Sequence, residues 1–76
     1  MYRYVKKVTE DENEIHYEYG FNTKELSGKI QYNKHDEELF FKLLAKEDSF
    51  LDAKDFLSLI SDIIRSKDPD EVTIEI

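Results

Sequence analysis

The sequence predicts an α+β fold: an antiparallel sheet of four or five strands, in the order β-β-β-β-α-β, with one C-terminal amphipathic helix packed on one face. Three observations carry that reading. Apolar and polar residues alternate over residues 15–21, 26–33 and 72–76, the period of a half-buried strand. Apolar residues recur at three- and four-residue spacing over 50–66, the period of a helix with one buried stripe. Polar stretches of hairpin length, Glu10–Glu14 and Asn22–Glu25, separate the first strand-like segments, as a meander requires.

The clearest strand is 15–21. Ile15, Tyr17, Tyr19 and Phe21 share one face, and His16, Glu18 and Gly20 the other. Over 26–33, Leu26, Gly28, Ile30 and Tyr32 alternate with Ser27, Lys29, Gln31 and Asn33. Over 72–76, Val72, Ile74 and Ile76 oppose Thr73 and Glu75. In residues 2–9, Tyr2, Tyr4 and Val8 form an apolar face that Lys6 interrupts. A lysine stem lies along apolar surface while its ammonium stays wet, so the strand assignment survives. In the first loop, Asn13 is the residue expected to take a left-handed conformation. Gly20 and Gly28 sit inside strands, where glycine marks a bulge or a close approach to the backbone by a ring or helix.

The helix places Phe50, Ala53, Phe56, Leu57, Ile60, Ile63 and Ile64 on one stripe, with Ser58 and Ser61 on or near the polar side. Ser49 is its N-cap, and Asp52 stands three residues on, as in a capping box. Asp52 and Asp55 lie at the positive end of the helix dipole, and Arg65 and Lys67 at the negative end. Asp68-Pro69 ends it, because proline cannot continue the hydrogen-bond ladder.

Residues 34–46 fit two patterns. As a helix, Leu39, Phe40 and Phe41 spread apolar surface over more than half the circumference. As a strand, Leu39, Phe41 and Leu43 line one face, and Phe40 and Leu44 fall on the other with Lys42. The hairpin rhythm favours a fourth strand, with 34–38 as its turn. Phe40 and Leu44 then become candidate interface residues, since exposed apolar patches mark contact surfaces. The final strand is expected beside the first and antiparallel to it.

With 76 residues, residues 1–76 form a single domain with a thin core. There is no cysteine, so disulfides, thiolate zinc sites and thiol nucleophiles are excluded. Eighteen acids against eleven bases give a net charge of −7, which argues against direct binding to nucleic acid. No apolar run suits a signal peptide or a membrane span, and the expected location is the cytoplasm.

No motif specifies chemistry. Glu14, His16 and Glu18 sit two apart on one strand face, as a weak divalent-cation row would. The ordinary explanation of that row, a solvated strand face, is preferred, and neither metal nor cofactor is expected. His35 neighbours Asp36 in a turn, away from any cleft that a general base needs. No serine lies in a nucleophile elbow, and two glycines do not build a phosphate loop. A core this thin leaves little room for a pocket of about 300 Å³. The expected function is a small non-enzymatic protein-interaction module (adaptor, regulator or inhibitor) whose partner is another protein or a second copy. Two alternatives stay open. One is an acidic decoy for a basic, nucleic-acid-handling protein. The other is an enzyme or ligand-binding protein whose site forms between subunits.

Overall fold

The computed structural model describes residues 2–75. Its elements are β1 (Tyr2–Glu10), β2 (Glu14–Gly20), β3 (Gly28–Asn33), β4 (Glu38–Leu43), α1 (Phe50–Lys67) and β5 (Glu71–Glu75). The strands form one antiparallel sheet in the order β4-β3-β2-β1-β5. The α+β reading holds, residues 38–43 are a strand, and the last strand pairs antiparallel with the first. Ile76, expected on the inner face, lies outside the described residues.

Local chemistry explains the turns. Asp11 Oδ1 accepts hydrogen bonds from the backbone of Asn13 and Glu14, at 2.8 and 2.9 Å, and these hold its carboxyl below the usual carboxylate range. Asn13 does not adopt a left-handed conformation; among the described residues, Glu37 (φ 55) and Asp68 (φ 44) are the non-glycine residues that do. In the β2–β3 connection, Asn22 Oδ1 accepts from Lys24 N–H at 2.9 Å, a side chain imitating a turn. Helix α1 begins as its sequence indicates: Ser49 is extended, and its hydroxyl accepts from Asp52 N–H at 3.2 Å. It ends at Asp68, whose N–H donates to Ile64 O at 3.1 Å.

One face of the sheet packs against α1. Ile15, Tyr17, Tyr19, Ile30, Tyr32 and Ile74 meet Ala53, Phe56, Ile60 and Ile64 of the helix. Tyr19 tilts onto Phe56 and Phe41 stacks on it, with ring centroids 5.2 and 6.2 Å away. Gly28 makes this possible. It pairs with Tyr19 across the ladder, and the Tyr19 ring lies where a Cβ would stand, 2.1 Å from it. Gly20 accommodates the backbone of Glu25 in the same way, at 2.6 Å.

Three expected faces are corrected. In β1 the inward residues are Arg3 and Val5, both 3% exposed, while Tyr2 and Val8 face solvent. The pairing of Val5 with Tyr19 fixes this phase, because residues opposite each other in a ladder share a face. In α1, Phe50 is exposed, whereas Ser61 is buried and accepts from Arg65 Nη2 at 2.8 Å. In β4, Leu43 is exposed rather than inward, and Leu44 is half-buried rather than outward. A register shift causes this: Ile30 pairs with Phe41 but Lys29 pairs with Leu43, so Lys42 is an extra residue in a bulge that resets the alternation.

Arg3 is the least expected core residue. Its Nη2 and Nε donate to Asp48 at 2.9 and 3.3 Å, and Nη2 also reaches Asp52 O at 3.2 Å. The guanidinium stands 5.0 Å from the Phe21 ring centroid and 5.3 Å from that of Phe56, within cation–π range. Asp48, with a side chain 1% exposed, also accepts from Tyr19 OH and Ser49 N–H, both at 2.9 Å. The Tyr19 hydroxyl in turn accepts from Ala45 N–H at 3.0 Å. Burial alone would push the Asp48 carboxyl up, but the hydrogen bonds from Arg3 and Tyr19 outweigh it and hold the group low. The outer face is different: Glu71, Lys6, Glu18 and Lys29 lie in one cross-strand row of alternating sign, an arrangement that is mildly stabilising.

The depressed carboxyl of Asp48 makes stability depend on pH with a definite sign. A group whose folded pKa lies below its unfolded value of about 3.9 contributes stability above that value and loses it as pH falls through the folded one. Urea unfolding is expected to show stability dropping as pH goes from about 5 to 2. Asp48→Asn should be less stable by about 3 kcal/mol at neutral pH, because Arg3 is left buried without its counter-charge, and its acid limb should be shallower. An acid limb as steep as that of the unaltered protein would contradict this.

Candidate functional site

The sheet has two edges, β4 and β5, and each carries a row of unpaired backbone donors and acceptors. Edge β5 is flanked by Glu71 and Glu75 and has Thr73 between them, so charge protects it. Edge β4 reads Glu-Leu-Phe-Phe-Lys-Leu and runs beside the first turns of α1. An open groove of about 590 Å³ lies there, lined by Phe40, Phe41, Leu43, Leu44, Phe50 and Leu57, with Lys42 among them. Phe40 is 42% exposed, Leu43 53% and Phe50 65%. Apolar side chains are thus gathered beside an unpaired edge, and such surfaces mark contact sites.

Both candidate interface residues, Phe40 and Leu44, line this groove. Phe40 faces out, paired with Gln31, while Leu44 forms part of the half-buried wall. Leu43, Phe50 and Leu57 were not singled out for a surface role. The bulge that exposes Leu43 leaves no mark in the hydrophobic pattern. Phe50 and Leu57 keep helical spacing, and only the position of the helix start over β4 distinguishes them from the buried members of the stripe.

The other constellations are already engaged. His16 Nε2 lies 2.8 Å from Glu14 Oε1, and Gln31 Nε2 donates to Glu14 Oε2 at 2.7 Å. Both oxygens of that carboxylate are therefore used within the sheet. His35 Nε2 lies 3.0 Å from Asn13 Oδ1, and Asp36 accepts from Asn33 instead. Among the described residues neither histidine hydrogen-bonds a hydroxyl, and no group of three His, Asp or Glu is placed to hold a metal ion. No helix among them is long and apolar enough to cross a membrane.

A second polar cluster surrounds Lys7. Its Nζ lies 2.9 Å from Glu10, 3.0 Å from Asp68 and 3.6 Å from Asp70. Lys34 Nζ meets Glu10 from the other side at 2.7 Å. The Glu10 hydrogen bond, opposed by desolvation and aided by Asp68, raises Lys7 above its ordinary value. Lys34 and Lys7 together pull Glu10 down to about 2. These bridges tie β1 to the end of α1 and to the β3–β4 turn, and as partly exposed surface pairs they add little stability. The Tyr17 hydroxyl is buried near this cluster with no hydrogen-bond partner among the described residues. Burial pushes its pKa to about 12.

No family model, curated protein or solved structure matches the chain. The reading of the groove therefore rests on its own residues.

An unpartnered buried hydroxyl carries a desolvation penalty of about 1–3 kcal/mol. Tyr17→Phe removes it while keeping the ring, so the variant is expected to match or exceed the parent stability by up to about 1 kcal/mol. A denaturant midpoint clearly lower at unchanged slope would show that the hydroxyl contributes a bond after all.

Proposed function

We propose that this protein is a small non-enzymatic interaction module that binds a protein partner through the β4 edge and the groove beside it. One observation carries the reading: Phe40, Leu43 and Phe50 are exposed together at the edge whose backbone groups are unpaired. A partner strand laid along β4 would satisfy those backbone groups, as in strand addition to a sheet. Phe50 and Leu57 would bury apolar side chains from the same partner. Aromatic residues in such a setting supply a large share of binding energy.

The arrangement of charge favours this reading over a decoy for nucleic-acid-binding proteins. Glu18 and Glu71 alternate with Lys6 and Lys29 across the outer face. Glu10 is neutralised by Lys7 and Lys34. Phosphate mimicry needs a contiguous surface of one sign, and these pairings break it up.

The test is capture of partners from native extract, comparing the unaltered protein with Leu43→Glu/Phe50→Glu. Both positions are exposed, so the variant should fold normally, as far-UV circular dichroism would verify. Loss of a hot-spot aromatic lowers affinity by more than about ten-fold, and the variant should lose the partners. Retention of the same partners by the variant would refute this use of the groove.

A further inference from the structure

We infer that the occupant of the β4 edge is a second copy of this chain, paired β4 to β4 and antiparallel about a two-fold axis through Phe40. This rests on the interaction reading above and specifies its partner. A two-fold contact places the same strand against itself, and residues directly opposite each other share a face. With the axis at Phe40, residue numbers in each opposed pair sum to twice that position. Glu38 then faces Lys42 of the second copy, and Lys42 faces the second copy's Glu38.

These two are the charged residues of β4, so one register pairs each with its opposite. Both are exposed. Glu38 pairs with Asn33 on the outer face, and Lys42 borders the outer surface beside His16, Glu18 and Lys29. On the inner face the same register opposes Leu39 to the second copy's Phe41. That places the second copy's Leu39 beside the groove wall of Phe41, Phe50 and Leu57. Phe40 meets its own counterpart at the axis. Moving the axis to Phe41 sets Glu38 against Leu44, and moving it to Leu39 sets Phe41 against Glu37.

The other edge shows the contrast. Self-pairing of β5 about Thr73 opposes Glu71 to Glu75, and like charges directly opposite are destabilising. In the register centred on its middle residue, β5 thus opposes like charges, whereas the Phe40-centred register of β4 opposes unlike ones. The dimer would be one continuous sheet with β4 at its centre and β5 at both ends, and both helices on the same face.

Charge reversal tests the register. The unaltered protein should sediment as a concentration-dependent dimer at up to about 1 mM. Lys42→Glu opposes two glutamates at two symmetric places, and Glu38→Lys opposes two lysines. Each single variant should dimerise at least about ten-fold more weakly. An equimolar mixture of the two should form a heterodimer, with Glu against Lys at one place and Lys against Glu at the other. The double variant Glu38→Lys/Lys42→Glu should dimerise again, which separates lost contact from lost folding. A clean monomer at about 1 mM would overturn self-pairing, and so would a dimer indifferent to all these changes. A monomer that still loses captured proteins on Leu43→Glu/Phe50→Glu would overturn self-pairing alone and leave the interaction reading standing.

Discussion

The ion pair between Arg3 and Asp48 is the constraint on which the arrangement of the other elements depends. It joins residues 45 positions apart in the chain and leaves neither side chain exposed to a useful extent. Burying two charges costs several kcal/mol per ion, and the attraction repays this only with good geometry and further hydrogen bonds. Here Tyr19 and the Ser49 backbone complete the shell of Asp48. Phe21 and Phe56 lie against the guanidinium. A buried pair of this kind is weak ground for claiming extra stability. Its effect is positional, because removing either partner leaves a charge stranded in the core.

What it positions is the segment between β4 and α1. Asp48 precedes the N-cap Ser49, and the Tyr19 hydroxyl that bonds Asp48 also receives Ala45 N–H. The end of β4 and the first turn of α1 are therefore fixed to β1 and β2 by one cluster. Phe50 and Leu57 stand over β4 because the helix must begin there, and the groove exists because the helix begins there. The rest of the sheet surface is unlike that corner. Its outer face is a ladder of alternating charge, one edge is guarded by glutamates, and the polar bridges around Lys7 close the opposite end. At the β4 corner, by contrast, Phe40, Leu43 and Phe50 leave apolar surface gathered beside an unpaired edge.

Where the sequence was informative, each residue had one environment to satisfy. Ile15, Tyr17 and Tyr19 alternate with His16 and Glu18, and their face is unambiguous; the spacing of Ala53, Phe56, Ile60 and Ile64 is equally so. The failures have specific causes. In β1, tyrosines at 2 and 4 imitate a core face, while the true inward residues are Val5 and an arginine, Arg3. An arginine reads as surface until its partner Asp48 is placed, and no local pattern links the two. In β4 the bulge at Lys42 reverses the alternation, so Leu43 and Leu44 exchange environments. Phe40, one residue before the bulged segment, was placed correctly for the same reason: alternation remained intact up to that point. The groove was half legible, in Phe40 and Leu44, because its other wall comes from a helix whose docking position is set by long-range contacts.

A double-mutant cycle at Arg3 and Asp48 tests most directly whether this cluster organises the fold. Arg3→Met and Asp48→Asn each remove one charge, and the double variant removes both. Each single change should cost about 3–5 kcal/mol by urea unfolding, while the double should cost much less than the sum, because no charge is left stranded. Additive losses, with the two positions behaving independently, would contradict the account.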